Sequence, residues 1–398
     1  MSNESIWGTG MMSDREATQN AGLGCVARHG SGFHLRSLSI EGFRGIKALS
    51  IPRLGRAALL AGRNGVGKTT VLDAVRVYAL RARLNALSEL LMSREEVAAG
   101  KDADGADMPA FDGKALFHGG DTSGNTHISI GPLDDGDRLR IGITKLGDDP
   151  ESMPEALLAK AIGAGARVMK VTFRDSTELL PPGPQAFPRE FMQLFAESGN
   201  EFPTELACES LGPGLPDSAE VARLWDRVTL TDDEDRVIQA VNLAVDEEVV
   251  RVAVVGGGSG NEQSPNGRRL VARLKGHKHP VPLKRLGDGV VRLLGVAAAL
   301  ANSKDGFLLI DEAENGIHHA LQRDFWRMIL QTAQDNNVQV LATTHGWDCV
   351  RGFAQAAAEL DTVEGVLIRL ERRDNGTRAV EYSEEELSII ARDGIEVR

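Results

Sequence analysis

The sequence predicts an α/β fold: a mainly parallel sheet flanked by helices, with an N-terminal antiparallel β portion and an inserted α/β region. Three observations carry this prediction. The apolar run RAALLA at 56–61 passes through a glycine-rich loop into the helically spaced VLDAVRVYALRARL. After residue 283, short apolar runs alternate with helical patterns. Between Phe33 and Ile51, the alternating segments FHLRSLSI and IKALSI flank the turn EGFRG. Strands alternating with helices form parallel sheets because each crossover needs a helix, whereas a tight turn between two alternating segments forms an antiparallel hairpin.

The elements follow in chain order. Spacing at Val71, Ala74, Val75, Tyr78 and Leu84 predicts one helix after the glycine loop, and another is expected at about 85–99. GKDADGADMPAFDGK then reads as a loop, with its Asp102-Ala-Asp104 pair solvated, and HISIG, RLRIGITKL and RVMKVTF read as strands. PPGPQAFP and LGPGLP interrupt any long helix. Thr231 and Glu234 stand at capping-box spacing and predict a helix start. EEVVRVAVV and RRLVARLKG read as two strands joined by GGGSGNEQSPNG, whose glycines lack the following GK of a phosphate loop.

From residue 288 the order is helix (288–302), strand FLLI, helix (about 317–335), strand VQVLATT, helix (347–360) and strand GVLIRL; a last helix opens at Ser383 with Glu386 as its capping partner. Absence of sustained heptads over 85–280 argues against a long coiled-coil arm. The expected organisation is a tail over 1–32, a head built from 33–84 and 283–398, and an inserted region of mixed helices and strands over 85–282.

Bulk properties narrow the function classes. With 57 acidic against 45 basic residues the net charge is -12, which disfavours coating nucleic acid by charge alone. One basic stretch (Arg268, Arg269, Lys275, His277, Lys278, His279, Lys284, Arg285) fits contact with DNA or a partner, or a complement to the acidic surface, and the last is favoured. Cys25, Cys208 and Cys349 form no CxxC pair, so a reducing, cytoplasmic setting is expected and no disulfide framework. No apolar run is long enough for a membrane span, and the N-terminus lacks the order of a signal peptide.

The chemistry concentrates in three places. Gly62-Arg63-Asn64-Gly65-Val66-Gly67-Lys68-Thr69 satisfies GxxxxGK followed by Ser or Thr. Gly62, Gly65 and Gly67 let backbone N–H groups wrap phosphates, Lys68 supplies a point charge, Thr69 a hydroxyl for Mg²⁺, and Thr70 lies in the first turn of the anion-facing helix. Strand FLLI delivers Asp311 and Glu312 to the C-terminal edge of the sheet, where Asp311 can hold Mg²⁺ and Glu312 can deprotonate water. The next strand ends in Thr343-Thr344-His345, and His345 can contact a γ-phosphate. Cys349 stands four residues beyond His345, but nothing nearby supports thiolate chemistry.

Together LSIEGFRGI, the P-loop, LGDGVVRLL, IDEAENGIHHALQRDFW and ATTHGWDC resemble the ABC-type ATPases of the RecF, SMC and OLD (overcoming lysogenization defect) group. The last two strings are particularly similar to OLD-like prokaryotic "AAA family ATPase" proteins, many of which belong to anti-phage or other defence operons. That resemblance implies ATP and Mg²⁺ as cofactors and a head dimer that sandwiches nucleotide. It also implies that Arg44 approaches the phosphates, that Asn64 faces the γ-phosphate, and that Asn315 and His318 lie in a loop crossing the dimer interface.

The family signature LSGGQ corresponds here to Leu286-Gly287-Asp288-Gly289-Val290. The serine hydroxyl is replaced by Gly287 and Asp288 adds a negative charge, which implies slow, regulated turnover through backbone amides at the helix start. OLD nucleases carry a Toprim nuclease domain after the ATPase, and no DxD pair follows His345 here. A nuclease or other effector is therefore expected on a separate polypeptide. The leading expectation is an ATP-hydrolysing homodimer that senses or regulates such an effector, with anti-phage defence as the setting the resemblance implies; the alternative is a DNA-repair ATPase that binds DNA ends or gaps.

Overall fold

The computed structural model describes residues 32–101, 107–122, 126–145, 167–180, 205–256, 268–360, 362–373 and 376–393. The N-terminal tail up to residue 31, the Asp102-Ala-Asp104 pair, PPGPQAFP and most of GGGSGNEQSPNG lie outside the described residues. Within them, the first strands are β1 (Leu38–Phe43), β2 (Ile46–Ile51) and β3 (Ala57–Ala61), followed by helices α1 (Lys68–Ala79) and α2 (Leu84–Ser93). Next come β4 (Val97–Lys101), β5 (Asp107–Phe111), β6 (His127–Gly131), β7 (Leu139–Lys145), β8 (Arg167–Phe173), β9 (Ser176–Leu180) and β10 (Cys208–Leu211). Helices α3 (Ser218–Asp226) and α4 (Glu234–Val241) precede β11 (Val249–Val255), β12 (Arg269–Leu274) and β13 (Val281–Pro282). The chain then runs through α5 (Asp288–Asn302), β14 (Phe307–Ile310), α6 (Gln322–Asp335), β15 (Gln339–Thr343), α7 (Trp347–Glu359), β16 (Gly365–Arg373), β17 (Gly376–Glu381) and α8 (Glu384–Asp393).

The central sheet has the order β10-β14-β15-β3-β16-β17, parallel except for the antiparallel edge strand β17. All residues of β3, β14 and β15 are buried, as expected of parallel strands covered on both faces. Side-chain alternation sorts them between two cores. Ala57, Leu59, Leu308, Ile310, Val340 and Ala342 pack with residues of α5, α6 and α7, while Ala58, Leu60, Phe307, Leu309 and Leu341 pack with α1 and the second sheet. That second sheet, β2-β1-β6-β7-β8-β9, is antiparallel throughout. The expected GFRG hairpin is its β1–β2 pair.

Segment 85–282 interleaves with the head elements. It supplies β6 to β9 of the antiparallel sheet and β10, which pairs with β14 at the edge of the central sheet. Hydrogen bonding between strands far apart in sequence leaves no local pattern, so sequence periodicity shows these strands but not their partners.

Three helix boundaries differ from expectation. α1 stops at Ala79 because Arg81 and Ala82 both take φ of 53°, and Leu84 opens α2 instead of continuing α1. The helix expected to run to 99 ends at Ser93, and 97–101 pairs as β4 with β5. Before α4, the Thr231 hydroxyl donates to the Val228 carbonyl (2.6 Å) and the Glu234 carboxylate accepts from the Leu230 amide (2.7 Å), so the helix begins at Glu234 without a Thr231 capping box. At Ser383 the capping box is present: the Ser383 amide donates to Glu386 Oε2 (2.7 Å) and the Glu386 amide to Ser383 Oγ (3.2 Å). No helix among the described residues is long and apolar enough to cross a membrane.

Candidate functional site

Strands β3, β15 and β14 are adjacent and parallel, so the chain segments leaving their C-terminal ends meet at one edge of the sheet. This is where open α/β sheets bind ligands. β3 delivers the 62–67 loop, β14 delivers Asp311 and Glu312, and β15 between them delivers Thr343, Thr344 and His345.

The glycine loop is shaped by backbone necessity. Gly62 has φ of 143°, and a Cβ there would lie 2.6 Å from the Leu370 carbonyl oxygen, so a side chain is excluded by both conformation and space. Gly67 caps α1 in the left-handed region (φ 102°) with no side-chain bond to the helix amides, which leaves the first-turn N–H groups and the helix dipole for an anion. Asn64 and Gly65 are exposed; Thr69 and Thr70 are half-buried at the start of α1. Lys68 is 8% exposed, and its Nζ donates to the carbonyls of Gly62 (2.7 Å) and Arg63 (3.2 Å). Burial pulls the lysine pKa below its ordinary value, while Asp311, Glu314 and Glu312 pull it back up.

Asp311 is 6% exposed. Thr69 Oγ1 donates to its Oδ2 (2.9 Å), and Thr343 Oγ1 donates to its Oδ1 (2.5 Å). The residues expected from sequence to ligate Mg²⁺, Thr69 and Asp311, are therefore side by side. Hard oxygen donors beside a phosphate loop suit Mg²⁺, which takes one or two protein ligands and completes its shell with phosphate and water. No group of three or more His, Cys, Asp or Glu side chains arranged to hold a metal alone occurs among the described residues.

Glu312 has φ of 48°, a conformation that non-glycine residues seldom adopt outside functional or strained turns. Its amide donates to Thr343 Oγ1 (2.8 Å). Its carboxylate Oε2 accepts from Asn315 Nδ2 (2.6 Å), and the same Nδ2 lies 2.8 Å from the Pro213 carbonyl. His345 Nδ1 stands 3.7 Å from Glu312 Oε1 and 3.4 Å from Glu314 Oε1. The three carboxylates Asp311, Glu312 and Glu314 thus share one face with Lys68, Thr69, Asn315 and His345.

Arg44, at φ of 51° in the β1–β2 turn, is held by Glu96 through Nη2–Oε1 and Nη1–Oε2 contacts of 2.8 Å each, and its Nε lies 4.0 Å from Asp73 Oδ2. Asp73 also pairs with Arg94 (2.9 Å); burial raises its pKa, against the pull of Arg94 and Arg44. Gly287 and Asp288 are exposed at the start of α5, and Gly289 backs onto the Gly316 carbonyl. His318 caps a short turn by accepting from the Ala320 amide (3.3 Å) and stacks on His319 at 4.2 Å.

Glu314, Glu96 and Arg292 are not singled out by the sequence motifs, and Thr343, named there only as a strand end, takes a definite role. Thr343 aligns Asp311 and Glu312. Glu314 accepts from the amides of His345 (3.0 Å) and Gly346 (2.9 Å), fixing the β15–α7 turn. Glu96 binds Arg44, and Arg292 reaches the Asp311–Glu312 backbone. The repeated acids in DEAE hint at Glu314, and an arginine inside the apolar VVRLLGV stripe hints at Arg292. Cys349 is buried, accepts from Trp326 Nε1 (3.4 Å), and burial pushes its thiol up to about 12, away from thiolate chemistry. In the basic stretch, Arg268, Lys275 and His277 pair with Asp226, Glu248 and Glu247, complementing acidic surface.

The parallel sheet, the P-loop and the acidic pair beyond β14 define a P-loop ATPase fold of ABC type. Comparison with known proteins gives several likenesses. Residues 184–345 match the family described as "AAA domain, putative AbiEii toxin, Type IV TA system", and residues 33–86 match a family described as a protein of unknown function. A curated relative from Helicobacter pylori, "ATP/GTP phosphatase", is 20% identical over 349 residues, covering 82% of this chain and 89% of the relative. An SMC head bound to the C-terminal winged-helix domain of ScpA aligns at 14% identity and TM-score 0.46, covering 88% of this chain and 98% of that one. The SMC head of Thermotoga maritima aligns at 12% identity and TM-score 0.40, covering 88% and 100%. The chain is thus similar to an AAA-domain family over residues 184–345 and to a curated nucleotide phosphatase over most of its length.

Proposed function

We propose that the chain binds ATP with Mg²⁺ and hydrolyses it to ADP and phosphate, using Glu312 as the base. The observation that carries this reading is the meeting of Thr69 with Asp311 at 2.9 Å beside the Lys68 ammonium and the Glu312 carboxylate. Each group has a task there. Lys68 exchanges the carbonyls of Gly62 and Arg63 for phosphate oxygens, joined by first-turn amides of α1 and by Thr70. Thr69 and Asp311 would hold Mg²⁺, which supplies charge neutralisation at the β- and γ-phosphates. Glu312 takes a proton from the attacking water, while Asn315 and His345 border its carboxylate and fix its direction. Arg44 adds a second cation once it leaves Glu96.

In this reading the Gly287–Gly289 turn completes the site of a second copy, its amides meeting the γ-phosphate while Asp288 keeps turnover slow. A homodimer closed by ATP and reopened by hydrolysis would control a separately encoded effector, such as a Toprim-like nuclease, in anti-phage defence. The toxin–antitoxin term in the matched family's description supports the defence setting. A Glu312→Gln variant tests the core of the proposal. It should bind ATP, release phosphate on the order of 10²- to 10⁴-fold more slowly, and shift to dimer mass with ATP and Mg²⁺. A variant that turns over at the wild-type rate, or stays monomeric at micromolar concentration, defeats it.

A further inference from the structure

Arg292 lies in the first turns of α5 and is fully buried, at 0% exposure. Its neighbours Val290, Val291, Leu293 and Leu294 are buried too, so an aliphatic side chain would suit the position. A buried guanidinium ordinarily requires a carboxylate partner, because desolvating an unpaired charge is costly. Among the described residues Arg292 forms no salt bridge, and its bonds go to four backbone carbonyls. Nη1 donates to Gly212 (3.0 Å) and Gly214 (3.0 Å); Nη2 donates to Asp311 (3.1 Å) and Glu312 (3.3 Å). Burial lowers its pKa, and Glu220, Glu314, Asp311 and Glu312 support the charged form from a distance.

These four bonds join three chain segments: the helix that begins with the Gly287–Gly289 turn, the residues leaving β14, and the loop after β10. Asn315 adds a second link between the last two, since its amide binds the Glu312 carboxylate (2.6 Å) and the Pro213 carbonyl (2.8 Å). A third contact is direct. A Cβ on Gly289 would meet the Gly316 carbonyl oxygen at 2.9 Å, so the start of α5 presses on the loop beyond Glu312. Packed elements of this kind shift as units, because interiors at this density do not deform continuously.

We propose that Arg292 is a positioning residue that ties the Gly287–Gly289 turn to Glu312. Docking of a phosphate on the turn displaces α5, and the guanidinium carries that displacement to the backbone that aims the Glu312 carboxylate. The inference rests on the reading of Glu312 as the base. Lysine at 292 keeps the charge but lacks the planar fork that spans four carbonyls.

The test combines steady-state kinetics with hydrogen exchange on the full chain. Arg292→Lys should bind a fluorescent ATP analogue within about twofold of wild type and lose at least about tenfold in kcat. Introducing Asp288→Ser should change wild-type kcat but leave the Arg292→Lys rate unmoved. A purely structural arginine would instead lower the melting temperature while kcat per folded molecule and the Asp288→Ser response persist, which would overturn the proposal. If Arg292→Lys does not fold, wild-type protein decides. A non-hydrolysable ATP analogue should change amide exchange at 288–292 and at 311–316 together, and any other pattern overturns the link. Wild-type protein that binds ATP without phosphate release removes the catalytic reading of Glu312, while the exchange experiment still judges the link.

Discussion

The phosphate loop and the Glu312 junction stand at the same edge of one sheet but are assembled differently. The loop is continuous chain: Gly62 to Thr69 provide its backbone turns, its lysine and its hydroxyl, and Lys68 bonds to carbonyls five and six residues away. The junction is discontinuous. Glu312 is held through Thr343, Asn315 and Arg292, and the last two are anchored on the carbonyls of 212–214. A continuous loop preserves its geometry wherever the flanking strand and helix go. A junction of distant segments changes geometry when any one of them moves, which suits a step that must be regulated.

Separate substitutions should therefore separate binding from turnover. The largest effect is expected of Lys68→Ala, which removes a charged donor from the phosphate site and should weaken ATP binding on the order of 100-fold or more. Isothermal calorimetry with ATP and Mg²⁺ reads this directly. The same residue sets a pH limit. Burial places the Lys68 pKa below its ordinary 10.5, so its charge, and with it the affinity of the free protein for ATP, should begin to fall before pH reaches that value. Titration of affinity between pH 8 and about 10 checks the sign: affinity lost as pH rises agrees, and affinity gained does not.

Asn315→Ala addresses the junction. Loss of one hydrogen bond to a charged carboxylate costs about 1.5–3 kcal/mol, so kcat should drop about tenfold or more. ATP affinity should change little, because the Asn315 amide is engaged with Glu312 and Pro213. Equal losses in affinity and kcat would show that the two regions act as one and would end the comparison.

The same contrast decides what is legible in the sequence. Chemistry fixes both residue type and spacing in the loop, so Gly62 to Thr69 are readable from the order of residues alone, as are Asp311 and Glu312 at the end of an apolar strand. Strand alternation and the Ser383–Glu386 cap are readable because they are local. Arg292 is not, since its role lies in carbonyls of residues 212, 214, 311 and 312, and carbonyls are common to every residue. Pairing of β10 with β14 is hidden for the same reason. Arg81 and Ala82 take left-handed conformations that their identities disfavour, which is why helical spacing alone carries α1 on to Leu84.

The smallest expected effect bears on Arg44, where the two modes of assembly meet. Its position in the β1–β2 turn is local, but its partner Glu96 comes from the turn after α2. In this structure the Arg44 guanidinium is paired with the Glu96 carboxylate through one hydrogen bond and one close charge contact, with side-chain exposures of 13% and 31%. An ATP phosphate that recruits Arg44 must therefore compete with Glu96. A partly exposed pair of this kind is worth about 0.2–1 kcal/mol, so Glu96→Gln should tighten ATP binding by about one and a half- to fivefold. Calorimetry alongside Arg44→Ala distinguishes the causes. If Glu96 competes for Arg44, the gain disappears in the double variant; a gain that survives there comes from general removal of negative charge.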